Sequence, residues 1–157
     1  MPVTLMSIPE KIEDRTEYLL GNTTTNPAYA MSKIILQLEN AGCTVIGIPC
    51  NTMHSSEIFN VIQAELKKAG SQIRLINMID EVIQFMSHFY PEMNKIAVLS
   101  TTGTHKTGVY YNKLAAAGFD PIIHSDELQE EIHKAVYDAQ FGIKATQKTL
   151  PKKQKIY

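Results

Sequence analysis

Thr44-Val45-Ile46-Gly47-Ile48, running straight into Pro49-Cys50-Asn51-Thr52-Met53-His54, is the stretch on which the reading of this chain turns. Its first five residues are β-branched or apolar at both parities, the pattern of a parallel strand covered on both faces by helices. The segment before it has helical period. From Pro27 onward Met31, Ile34, Ile35 and Leu38 fall on one stripe, and Ala41-Gly42 closes it. The segment after it is helical again, with Ile58, Ile62, Leu66 and Ala69 ending at Gly70, and Ile73-Arg74-Leu75-Ile76 reads as the next strand.

Outward from there the same grammar repeats. Asp80 is expected to cap a helix carrying Val82, Ile83, Phe85, Met86 and Phe89, which Pro91 stops. Lys95-Ile96-Ala97-Val98-Leu99 is a strand, followed by a loop of threonines and glycines and a helix ending at Ala117-Gly118. Pro121-Ile122-Ile123-His124 is a short strand. Asp126 then caps a helix with Leu128, Ile132, Ala135, Val136 and Ala139 inward, and Val3-Thr4-Leu5-Met6 is a further strand candidate. Strand–helix alternation with short connections predicts an α/β fold in which mainly parallel sheets are flanked by helices. The strands divide into two similar lobes, residues 1–86 with the Cys50 loop and residues 87–157 with the loop of Thr101, Thr102, Gly103 and Thr104.

Composition narrows the function classes. The chain has 157 residues, 44% of them hydrophobic and 20% charged, which excludes wholesale disorder. Fifteen basic residues against sixteen acidic ones give a net charge of −1, so neither a nucleic-acid nor a membrane-surface partner is expected. The one cationic run, residues 148–155, reads as a solvated end. No apolar stretch approaches the roughly 18 residues a membrane helix needs, and no secretory pattern opens the chain. Two cysteines are too few for a disulfide scaffold, so the expected compartment is a reducing cytoplasm.

In open parallel sheets ligands bind at the carboxyl ends of the strands. Cys50 is there, where the positive end of a helix favours a thiolate and where Asn51 or Thr52 can cap the helix or bond a ligand. The alternative for Cys50 is a buried filler. Cys43 precedes the same strand, so roughly 23 Å of extended chain separates the two thiols, and Cys43 reads as filler. The stretch Ser100-Thr101-Thr102-Gly103-Thr104-His105-Lys106-Thr107-Gly108 offers hydroxyls and backbone N–H groups to an anion, without Walker A spacing. The five histidines, at positions 54, 88, 105, 124 and 133, show no paired metal-ligand spacing. His88 and His133 read as helix-surface residues or satisfied partners.

These residues resemble the aspartate/glutamate racemase family, whose members racemise acidic amino acids without pyridoxal phosphate. Cys50-Asn51-Thr52-Met53-His54 resembles the family's Cys-Asn-Thr-x-His, and Asp14-Arg15-Thr16 its Asp-Arg-Thr. Ser100-Thr101-Thr102-Gly103-Thr104 with Tyr110-Tyr111 is similar to the threonine loop of the second lobe, and Phe141-Gly142-Ile143-Lys144-Ala145 to a segment whose lysine orients the substrate. The resemblance implies Cys50 as an acid/base, and a substrate held by Arg15, Asn51, Thr52, Thr101, Thr102, Gly103, Thr104 and Lys144. It further implies no cofactor and no metal, a small acidic amino acid as the partner, and a homodimer. Against the family pattern the chain lacks a Gly-Gly-Met-Gly-type loop before Val3 and a second cysteine after Lys144, so each lobe is expected to miss an edge. With one usable thiol, the second acid/base is expected from a missing segment or an unidentified residue, with His54 and His105 as substitutes. One-faced chemistry, such as decarboxylation with reprotonation, or binding of an acidic amino acid without turnover, are the competing readings.

Overall fold

The computed structural model describes residues 2–146. In chain order they form α1 (Arg15–Leu19), α2 (Ala28–Asn40), β1 (Val45–Gly47), α3 (Ser56–Lys68), β2 (Arg74–Ile76), α4 (Met78–Phe89), β3 (Lys95–Ala97), α5 (Thr102–Lys106), α6 (Val109–Ala116), β4 (Asp120–Ile122), α7 (Asp126–Tyr137) and α8 (Ile143–Thr146). Single 3-10 turns at Pro9–Lys11 and Asn51–His54 complete the set. The basic run 148–155 lies outside the described residues.

The strands form two parallel pairs. β1 lies beside β2 with Ile46 opposite Leu75, and β3 beside β4 with Ile96 opposite Pro121. Each pair is joined through helix, which a parallel connection requires. The fold is therefore α/β and helix-rich, built from two similar lobes. Each lobe has its own apolar cluster. In the first, Ile35 and Leu38 of α2 meet Ile58, Ile62 and Leu66 of α3 over Ile46 and Ile48. In the second, Ile79 and Ile83 of α4 meet Val109 and Leu114 of α6. α4 runs across residues 86 and 87, and its buried side chains belong wholly to the second cluster. Gly42, with φ of +93°, and Gly70, with φ of +70°, end α2 and α3 in the left-handed conformation that glycine accepts without a Cβ clash. Among the described residues no helix is long and apolar enough to cross a membrane.

Several local expectations are corrected. Val3-Thr4-Leu5-Met6 forms no strand, because no strand edge receives it, and Val3 and Leu5 stay more than four-fifths exposed. Asn77, not Asp80, caps α4: its side chain accepts from the N–H groups of Ile79 and Asp80, which frees the Asp80 carboxylate to pair with Lys113. Ser125, not Asp126, caps α7, accepting from Leu128 N–H. Leu128 faces solvent, Ala135 and Ala139 are exposed, and the residue α7 buries is Gln129. The threonine loop contains the short helix α5.

Candidate active site

β1 delivers the chain to its carboxyl end, where Ile48 is still buried and Cys50 follows half-buried in extended conformation. The expectation that Asn51 or Thr52 caps an α-helix fails. Residues Asn51–His54 instead form one 3-10 turn, and α3 starts only at Ser56. So short a turn carries little dipole, and what Cys50 has beside it is a hydroxyl: its Sγ lies 3.4 Å from Thr52 Oγ1. Met53 is buried and anchors the turn in the first core. His54 closes it, with Nε2 2.9 Å from the Ile48 carbonyl oxygen. Burial pushes the His54 imidazole below its ordinary range. Asn51 points outward and its Oδ1 accepts from the Tyr110 hydroxyl at 3.0 Å, a bond between the lobes.

Two further segments pack on this turn. α1 begins with Asp14 as its cap, accepting from Thr16 N–H at 2.8 Å and Glu17 N–H at 3.0 Å. Arg15 follows at the first helical position, and its Nε is buried with no hydrogen-bond acceptor. α5 carries Thr102, Gly103 and Thr104, with Thr101 at its cap. α1, α5 and the Asn51–His54 turn all touch one another. α5 sits close on α1 at Gly103, where a Cβ would lie 2.8 Å from Thr16 Oγ1 and 3.0 Å from its Cγ2. A cavity of about 470 Å³ opens between α1 and α5, lined by Tyr18, Gly21, Thr23, Gly103 and Lys106 among others. Cys50 does not line it, and Asn51 lines a separate cavity of about 260 Å³ along β3.

The model of the Asp/Glu/hydantoin racemase family matches residues 1–153. The chain belongs to this family. It is similar to the broad specificity amino-acid racemase RacX of Bacillus subtilis (strain 168), with 28% identity over 101 residues, which is 64% of this chain and 40% of that protein. It is also similar to the structure of Picrophilus torridus aspartate racemase, with a TM-score of 0.68 and 26% identity, over 92% of this chain and 58% of that one. The chain thus spans well under two thirds of the length of either relative.

Within this racemase-family chain the site residues expected from sequence fall into two groups. Cys50, Asn51, Thr52, Arg15, Thr101, Thr102, Gly103 and Thr104 belong to the three segments that meet. Lys144 lies apart on α8, which packs on α7, and its ammonium sits 3.9 Å over the Tyr137 ring. A path of contacts links the groups: Tyr137 stacks on His133 at 4.7 Å, and His133 Nδ1 accepts from Thr102 N–H at 3.3 Å. Gln129 joins in, donating from Nε2 to the Ser100 carbonyl at 3.1 Å. Sequence reasoning missed Gln129 as a holder of the threonine segment, and gave His133 only as a helix-surface residue or satisfied partner without naming what it holds. Their signal was two polar residues four apart on a helix whose apolar stripe lay elsewhere. His105 stacks on His124 at 4.8 Å, and burial with the neighbouring His124 holds it below the ordinary histidine range. No group of three or more His, Cys, Asp or Glu among the described residues is placed to hold a metal.

Proposed function

We propose that this chain performs cofactor-independent racemisation of an acidic amino acid, aspartate or glutamate, by proton transfer at carbon α with Cys50 as an acid/base. The observation that carries the reading is the meeting of the Cys50 turn with the Arg15 end of α1 and the threonines of α5. Arg15 presents a buried Nε with no acceptor, and a substrate carboxylate supplies one in the geometry guanidinium favours. For Lys144 to take the second carboxylate of a dicarboxylic substrate, its ammonium has to leave the Tyr137 ring and reach the threonine segment. Thr101, Thr102 and Thr104, the Gly103 backbone, Asn51 and Thr52 supply polar contacts. Negative charge grows on the α-carboxylate as the proton leaves, and donors fixed in advance stabilise it. Thr52 Oγ1 beside Sγ can donate to a thiolate or accept from a thiol, which suits a group that gains and loses a proton each turnover. The two relatives, a broad specificity amino-acid racemase and an aspartate racemase, support the reaction class. The same proposal takes the protein as a cytoplasmic homodimer with a small-molecule partner and no nucleic-acid or membrane partner.

One observation favours a second reading. Among the described residues Cys50 is the thiol at this end of β1, and Cys43 lies at the other end, packed against the first core. A single thiol suffices for one-faced chemistry: the bond to a leaving carboxylate breaks as CO₂ departs, and the carbanion takes the Cys50 proton. Chiral chromatography of L-aspartate and L-glutamate incubations tests both. The expected result is the D-enantiomer from the wild type, with a rate about 10²–10⁴-fold lower in Cys50→Ser. Equal rates in the two proteins contradict a role for Cys50. A decarboxylated product selects the one-faced reading, and saturable binding without any product selects a binding protein.

A further inference from the structure

We infer, resting on the racemase reading, that His133 of α7 is a positioning residue. With Gln129, four residues before it, it holds residues 100–102 and so sets how tightly the threonines take substrate. Neither side chain lines the cavity between α1 and α5, and neither lies on a segment that carries Cys50 or Arg15. Their influence runs through the threonine segment.

That segment needs support from outside. β3 ends at Ala97, and the next regular element, α5, starts only at Thr102. Thr101 caps α5 in extended conformation, yet its side chain makes no capping hydrogen bond. The first N–H groups of a helix have no partner within it, so the Thr102 N–H has to find an acceptor elsewhere. His133 Nδ1 is that acceptor, at 3.3 Å. Accepting there leaves the neutral imidazole its proton on Nε2. Tyr137 orients the ring, with 12° between the two planes and 4.7 Å between centroids.

Gln129 grips the same stretch with the opposite polarity. Its Nε2 donates to the Ser100 carbonyl at 3.1 Å and to Thr102 Oγ1 at 3.5 Å. One amide thus restrains a carbonyl and a hydroxyl. The residue is only 5% exposed, so few waters compete for those bonds. Residues four apart share a helix face, and α7 therefore offers a donor and an acceptor side by side to residues 100 and 102.

A side chain fixed beforehand loses less entropy on binding than one that must be ordered by its ligand. The carboxylates of an acidic amino acid are charged before its proton leaves. Contacts from Thr101, Thr102 and Thr104 therefore act in the ground state as well as later, and weakening them raises KM with little change in kcat. A variant that merely leaves less folded protein lowers the apparent kcat instead and does not move KM.

Steady-state racemisation of L- and D-aspartate and L- and D-glutamate by His133→Phe and His133→Asn tests this, together with amide hydrogen exchange at Thr102. Phenylalanine keeps a ring for Tyr137 and removes the acceptor. Asparagine gives up the ring, but its Oδ1 stands where Nδ1 stood. The expected result is a KM about tenfold higher in His133→Phe and within about threefold of the wild type in His133→Asn. Thr102 is expected to exchange faster in His133→Phe only. A wild-type KM in His133→Phe, whatever its kcat, overturns the role of His133 and leaves the racemase reading standing. A KM raised equally in both variants assigns the effect to ring packing and overturns it as well. A folded wild type that converts none of the four acids fails the racemase reading itself, and the positioning role falls with it.

Discussion

At Gly103, α5 packs directly on Thr16 of α1. An alanine there drives its Cβ into the Thr16 side chain at 2.8 and 3.0 Å, and Thr16, short and β-branched, has little room to turn away. Gly103→Ala is therefore expected to cost about 1–3 kcal/mol in urea unfolding, and adding Thr16→Ser, which removes one of the two clashing atoms, should recover part of it. An unchanged midpoint in the single variant would show that α1 and α5 do not touch as described. His54 sets a pH dependence. Its folded state resists protonation through burial, so as pH falls below the ordinary histidine value of 6.5 the unfolded chain takes the proton first. The stability contributed by neutral His54 is thus complete above that value and declines as pH drops through the lowered folded value. Urea midpoints at stepped pH should fall on the acid side, and His54→Gln should flatten the fall; His105, shifted the same way, keeps a residual slope. At this scale the sequence made Cys50 and Arg15 legible because motif spacing records them. The partners that Gln129 and His133 hold, and the Gly103–Thr16 contact, were not legible, because they join residues far apart in the chain.

At the scale of elements, periodicity found the helices and misjudged how they begin and which way one of them faces. α2 and α3 bury most of the stripe read from sequence, with Ile35, Ile58 and Ile62 almost wholly inaccessible, while Ala69 is exposed at the end of α3. α7 does not, since its apolar residues Leu128 and Ala135 stay exposed while Gln129 turns inward to hold the Ser100 carbonyl. Caps failed for a related reason: the helix begins where the incoming chain is extended, at Asn77 and Ser125, and not at the first acidic residue of the first turn. α4 has a consequence for assembly. Beyond its buried Ile79 and Ile83 it presents Val82, Phe85 and Phe89, with Tyr90 just after it, all more than a third exposed, and the Phe85 and Phe89 rings lie 4.6 Å apart. An apolar aromatic face of this kind marks an interaction surface. If the proposed homodimer uses it, sedimentation of the wild type gives a dimer and Phe85→Glu with Phe89→Glu gives a monomer. A wild type that sediments as a monomer contradicts the dimer, and a double variant that stays dimeric moves the interface elsewhere.

For the molecule as a whole, two β–α–β lobes bring into contact the three segments that carry Cys50, Arg15 and the threonines of α5. The alternation of strand and helix was readable from the short apolar runs, but the expected cover on both faces of β1 fails: Ile46 is buried while Val45 and Gly47 are exposed. The strands proved shorter than their apolar runs, three residues each, because pairing extends only as far as the single neighbour each strand has. The arrangement of lobes has a chemical meaning only if carbon α of a substrate loses its proton there. Proton NMR of the folded chain in D₂O, with L- and D-aspartate and L- and D-glutamate in separate tubes, measures that directly. The expected result is loss of the carbon-α proton signal from both enantiomers of at least one acid, with inversion seen by polarimetry on the same samples. No exchange with any of the four would contradict it.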